Sequence, residues 1–106
     1  MESHNKSLGR VKWFNHHKGY GFVTCLSEKY KDKDLFVHHT SLNVKDDVYK
    51  YLLEGEYVEF NVKKSYGKYE FETYDMTGLM GGMLMCENKN TQMYKIYKNF
   101  KNNKKH

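Results

Sequence analysis

The sequence is poor in several features that would place it in other classes. It has two cysteines, Cys25 and Cys86, far apart and with no ligand-spaced partner. A disulfide framework or zinc site is therefore not expected, and two reduced thiols are. No apolar run approaches the ~20 residues that cross a bilayer, and no charged-then-apolar stretch at the N-terminus resembles a signal peptide. The expectation is a soluble intracellular protein with no membrane partner, cytoplasmic, with the nucleus as a second candidate location. The sequence shows no compact carboxylate cluster, and the pair His16-His17 lacks a second ligand group at suitable spacing. Neither a metal nor a cofactor is expected. At 106 residues the chain can build one small core and not two. A monomer is the default.

Charge is present but unevenly placed. Residues 1–86 carry 12 Lys plus Arg against 12 Asp plus Glu, so the formal excess of +5 lies wholly in residues 87–106, with six lysines and Glu87. A basic arm on a neutral body suits a polyanionic partner; a solubilising tail is the alternative.

The richest stretch is Lys18-Gly19-Tyr20-Gly21-Phe22-Val23. On an extended strand alternate side chains share a face, so Lys18, Tyr20 and Phe22 point one way and Val23 the other. In Leu35-Phe36-Val37-His38-His39 the same parity sets Leu35 and Val37 against Phe36 and His38. Two strands that are apolar on one face and aromatic on the other make a stacking platform, which suits the bases and phosphates of single-stranded nucleic acid.

The remaining pattern is also one of short strands. Leu8 to Asn15 reads as the first, and its adjacent rings Trp13 and Phe14 cannot both face inward, so one is core and the other displayed. His16-His17 turns into the Lys18 strand, which runs to about Leu26, and a charged loop over 27–34 leads to the Phe36 strand. Residues 40–53 lack strand alternation, and Asp46 to Leu53 is expected to hold a helical turn with acids at its start. Glu54-Gly55 is a turn, Tyr57 to Val62 alternates with Val58, Phe60 and Val62 on the core side, and Ser65 to Lys68 supplies a hairpin connection. The last strand, about Tyr69 to Thr77, has aromatics at both parities, which leaves its buried face open. Five short strands and no long helix point to an all-β, five-stranded antiparallel barrel. Gly78 to Gly82 closes the body as a flexible loop. The expected division is a disordered 1–7, a body over 8–86 and a basic, aromatic-containing tail over 87–106. In that tail Tyr94-Lys95, Tyr97-Lys98 and Phe100-Lys101 repeat every three residues, while Met93, Ile96, Tyr97 and Phe100 also fit a helical stripe. A loosely ordered arm is expected, with a short docked helix as the alternative.

Motif order narrows the family. Lys18 to Cys25 matches the RNA-recognition-motif octapeptide except at Cys25, but in that family the second aromatic strand comes earlier in the chain, with a helix between. The chain instead resembles the cold-shock domain over roughly residues 8–82. The resemblance is carried by Gly9-Arg10-Val11-Lys12-Trp13-Phe14-Asn15, Lys18 to Val23, Asp34-Leu35-Phe36-Val37-His38-His39, and Glu54-Gly55 ahead of Val58-Glu59-Phe60. The long connection from Asn43 to Leu53 and the ending Met76-Thr77-Gly78-Leu79-Met80-Gly81-Gly82 look more like eukaryotic Y-box proteins, although one residue is inserted in that ending and its proline is lost. The resemblance implies an OB-type barrel that binds single-stranded RNA or DNA, with no enzymatic activity. It further implies that Trp13, Tyr20, Phe22, Phe36 and His38 stack bases, that Lys12 and Lys18 lie near phosphates, and that Asn15 and Asp34 bond base edges. His39, Lys68 and Glu72 of the body and Lys95, Lys98 and Lys101 of the tail form a second tier of binding candidates. The implied roles are RNA chaperone or regulator of translation or transcription. Two other classes stay open: a protein-interaction module using the aromatic face, and a small nuclease using histidine as acid or base.

Overall fold

The structure, a computed structural model, describes residues 6–104. Most of the segment expected to be disordered, residues 1–5, lies outside the described residues, as do 105–106. Five strands, β1 (Ser7–Asn15), β2 (Tyr20–Cys25), β3 (Asp34–His38), β4 (Tyr57–Lys64) and β5 (Phe71–Thr77), close into a barrel in the order β1-β2-β3-β5-β4, with β4 returning to β1. Every pairing is antiparallel except the closure of β3 on β5, which is parallel and rests on the single pair Phe36↔Glu72. This is the OB-type all-β barrel expected, with an added helix α1 (Gln92–Lys104) behind it.

Alternation builds the core. Val23, Val37, Val58 and Phe60 are fully buried, joined by Val11, Leu35 and Met76. Removing such side chains from water is the main stabilising contribution, roughly 1.5–3 kcal/mol for each large one. Two bulges break the alternation. Between Val11 and Trp13 the β1–β2 register shifts by one residue, so Lys12 and Trp13 both face outward and Phe14 turns back to pack against the core. This settles which of the adjacent rings is displayed. A second shift on β4–β5 sets Asp75 and Met76 opposite Phe60; Asp75 takes the left-handed conformation (φ 53°), and its carboxylate accepts from Asn43 at 2.7 Å and Lys6 at 3.0 Å. Ahead of this bulge β5 alternates regularly, so Phe71 packs inward with Tyr30 while Tyr74 faces solvent under Lys63, and the bulge moves the inward position to Met76.

Three expectations are corrected. Lys18 is not on the second strand: the Asn15 side-chain carbonyl accepts from the amides of His17 and Lys18, both at 3.0 Å, and this bonded turn holds residues 16–19 until β2 starts at Tyr20. Asp46 to Leu53 forms no helical turn. The Asp47 amide donates to the Asp46 carboxylate at 2.7 Å, a local bond that competes with a helical turn, and the chain bends over 45–47 before burying Val48 and Leu52 in the core. The tail is not a loose arm. Leu84 and Cys86 are core residues, and Glu87 is buried, accepting from the amides of Leu84 at 2.8 Å and Lys45 at 3.0 Å. From that anchor α1 packs Tyr94 against the core. Burial of these side chains offsets the ordering entropy that favours a free arm.

Candidate nucleic-acid interface

The outer face of β1, β2 and β3 carries a continuous array of rings. Trp13, displayed by the first bulge, lies 5.7 Å from Tyr20 and 5.3 Å from Phe22. Tyr20 and Phe22 alternate with the buried Val23, and each meets Phe36 of β3 at 5.8 and 5.9 Å. Gly21 makes the close strand approach possible, since a Cβ there would sit 2.1 Å from the Trp13 carbonyl oxygen. The array continues to a residue that the sequence left unassigned: Tyr69, at the end of the β4–β5 connection, stacks on Phe36 at 4.9 Å and 12° and meets Phe22 at 5.0 Å. Lys68 lies over the Tyr69 ring. Tyr69 was missed because it precedes β5 rather than belonging to it; its spacing from the Ser65 to Lys68 turn was the available signal.

The rings are half-buried at their edges and open on their faces, with Trp13 39 % exposed. Ring pairs in tilted and edge-on contact hold one another by about 0.5–1.5 kcal/mol each. His38 extends the row, opposite Tyr20 in the β2–β3 register, with its Nδ1 3.3 Å from the Thr40 amide and 2.9 Å from the Thr40 hydroxyl. Glu72 borders the face opposite Phe36.

Several polar candidates are engaged within the protein. Lys12 and Asp34 are paired at 2.6 Å, and the Thr24 hydroxyl donates to the other carboxylate oxygen at 2.8 Å. The Lys12 ammonium holds the Asp34 carboxyl below its ordinary range, with Thr24 acting the same way and desolvation opposing. Asn15 orders the turn described above. Lys18 is exposed on that turn, and His39 stands beside it, its amide donating to the Gly19 carbonyl at 2.8 Å. Of the tail candidates, Lys95 is exposed on α1, whereas Lys98 pairs with Asp46 at 3.2 Å and Lys101 with Asp47 at 3.3 Å. Among the described residues no group of three or more His, Cys, Asp or Glu is arranged to hold a metal ion, and no helix is long and apolar enough to cross a membrane.

The family described as the 'Cold-shock' DNA-binding domain matches residues 7–72, which includes every strand carrying the ring array and the Tyr69 connection. The chain belongs to the cold-shock domain family. Its relatives include the cold shock-like protein CspI of Escherichia coli, 44% identical over 59 residues that make up 56% of this chain and 77% of the relative. The cold shock-like protein CspC of Bacillus cereus is 46% identical over 54 residues, 51% of this chain and 74% of the relative. The cold shock protein CspA of Staphylococcus aureus is 48% identical over 54 residues, with 51% and 73% covered. This cold-shock domain is thus a nucleic-acid-binding, non-enzymatic module. The match stops at residue 72, so the end of β5, the 84–88 anchor and α1 lie beyond it.

Proposed function

We propose that this cold-shock domain binds single-stranded nucleic acid, RNA foremost, by stacking successive bases on Trp13, Tyr20, Phe22, Phe36, His38 and Tyr69, and that it serves in the cytoplasm as an RNA chaperone or a regulator of translation or transcription. One observation carries the reading: six rings form one open sheet of aromatic surface on a face that the core does not use. Every base has a π-face, so such a sheet takes any sequence, and each stacked base contributes roughly 1–3 kcal/mol. Lysines at its edge, Lys18 and Lys68 among them, add phosphate attraction that salt weakens. A strand held this way has its base edges separated from a pairing partner, so binding competes with duplex formation. No bond is made or broken.

Strandedness and sugar preference test the proposal together. An unstructured oligoribonucleotide is expected to bind far more tightly than a blunt hairpin stem of the same composition, because no element here is shaped to enter a duplex groove. A quenched RNA hairpin should open as protein is added. Equal affinity for stem and single strand would overturn the single-strand reading, and tighter binding of the matching DNA would overturn the preference for RNA.

A further inference from the structure

Beside the platform lies a cleft of about 490 Å³, within the roughly 300–1,000 Å³ that holds small organic ligands. The β1–β2 turn forms one side, presenting His16, His17 and Lys18 in succession. His39 enters from the end of β3, its ring seated over Gly19, where a Cβ would come within 2.5 Å of the imidazole. Tyr49 and Lys50 of the 46–50 segment face them, and Tyr97 of α1 closes the end. The three parts are tied: the Tyr49 hydroxyl donates to the His16 carbonyl at 2.8 Å, and the Tyr49 and Tyr97 rings meet at 6.0 Å.

The charge in this space is one-sided. Two lysines and three imidazoles border it against a single lining carboxylate, Asp47. That carboxylate is already neutralised by α1: it accepts the Tyr97 hydroxyl at 2.9 Å and pairs with Lys101, while Lys98 pairs with the neighbouring Asp46. Both carboxyls lie below their ordinary range, Asp47 through the Tyr97 hydroxyl first and Asp46 through the Asp47 amide and then Lys98, with Lys89 adding to the effect on Asp46. Without the helix, two bare acids would rim the cleft and repel an anion.

We propose that this cleft seats a phosphodiester of the strand as it leaves the platform, that His39 takes up a proton as the phosphate enters, and that α1 is a working part of the site because it neutralises Asp46 and Asp47. The proposal rests on the single-strand reading above. In the free protein burial pushes the His39 imidazole below its ordinary value, and His38 and Lys50 act in the same sense. A phosphodiester stays anionic between pH 5 and 8, so in the cleft it offsets those influences and raises the imidazole's affinity for a proton. An imidazole whose value is higher bound than free makes binding stronger as pH falls through the bound value. The gain levels off below the free value, and a rise of one unit corresponds to tenfold.

Oligothymidylate is the probe, since neither thymine nor its phosphates titrate between pH 5.5 and 7.5. Its affinity for the full chain is expected to rise roughly threefold to tenfold from pH 7.5 to 5.5. In the variant His39→Gln most of that rise should vanish. At fixed pH, Lys98→Gln/Lys101→Gln should weaken binding severalfold, and adding Asp46→Asn/Asp47→Asn to it should restore binding, whereas the acid pair alone, which frees both lysines, should strengthen it. A pH dependence that survives intact in the histidine variant would overturn the phosphate site. If Lys98→Gln/Lys101→Gln left binding unchanged, or the added acid substitutions failed to restore it, the role of α1 would be overturned. Phe22→Ala separates the two readings: binding that depends on Phe22 without the pH effect sinks this proposal alone, whereas binding indifferent to Phe22 sinks the stacking platform itself.

Discussion

Replacing Phe36 with alanine should remove binding while sparing the fold, and replacing its neighbour Val37 should do the opposite. Phe36 touches Tyr20, Phe22 and Tyr69 at 5.8, 5.9 and 4.9 Å and presents its remaining face to solvent. The substitution deletes one base platform, about 1–3 kcal/mol, a factor of roughly 5 to 150 in affinity. It also frees the Tyr69 ring, which loses its stacked partner, so the upper half of that range is expected. Val37 is fully buried on the other face of the same strand. Its truncation removes the equivalent of two methylenes at ~0.8 kcal/mol each and leaves a small void, about 2 kcal/mol in all. For a domain of this size that is a fall in melting temperature of roughly 8–16 °C. Trp13, the chain's one tryptophan, sits in the ring array, so its fluorescence reports binding without a label. Thermal melts and fluorescence titrations of the two variants would be run side by side. If Phe36→Ala melted as early as Val37→Ala and bound like the native chain, the assignment of faces would be wrong.

Other perturbations probe separate parts of the structure. Gly21→Ala should cost about 3 kcal/mol or more, because its Cβ would overlap the Trp13 carbonyl oxygen and backbone must move, and denaturant unfolding would show it; a loss under 1 kcal/mol refutes the close approach. Both cysteines are buried, and burial pushes the Cys86 thiol up to about 11, so a thiol reagent at neutral pH should label neither until denaturant is added. Labelling of native Cys86 at the rate of a free thiol would contradict the docking of the 84–88 segment. The exposed Lys12–Asp34 pair is expected to contribute less than about 1 kcal/mol. Because the folded Asp34 carboxyl is depressed, that contribution is present above about pH 4 and disappears as pH falls through the folded value, so native protein and Asp34→Asn should converge in stability once the pH lies below that value.

Much of the fold was legible because the strands obey a two-residue period wherever one face is buried. Tyr20, Phe22, Phe36 and the core valines between them fall where parity puts them. Legibility failed where the backbone departs from that period. The bulge at Lys12 decides between Trp13 and Phe14, and the one at Asp75 shifts the buried position of β5 from Thr73 to Met76; neither leaves a periodic trace. Lys18 shares parity with Tyr20 in sequence but sits on a turn bonded by Asn15, a contact made by a side chain rather than by spacing. The tail showed both a three-residue and a helical repeat. The core that Tyr94 packs against, together with Asp46 and Asp47 some fifty residues away along the chain, chooses between them, and no local pattern announces partners at that separation. The cleft was invisible for the same reason, being assembled from four segments.

The parallel seam between β3 and β5 has a consequence for how ligand and fold are coupled. One ladder pair, Phe36↔Glu72, and the bridge Leu42↔Met76 hold the barrel shut there, while the other joints are long antiparallel ladders. The Phe36–Tyr69 stack straddles this same seam from outside. A base laid across those two rings would act as a clasp on the weakest joint of the cylinder. Occupancy and closure then become one equilibrium, in which ligand stabilises the shut form by RT ln(1 + [L]/Kd). Amides along β3 and β5 would exchange with solvent more slowly in the complex, and the strand being held would in turn hold the protein together.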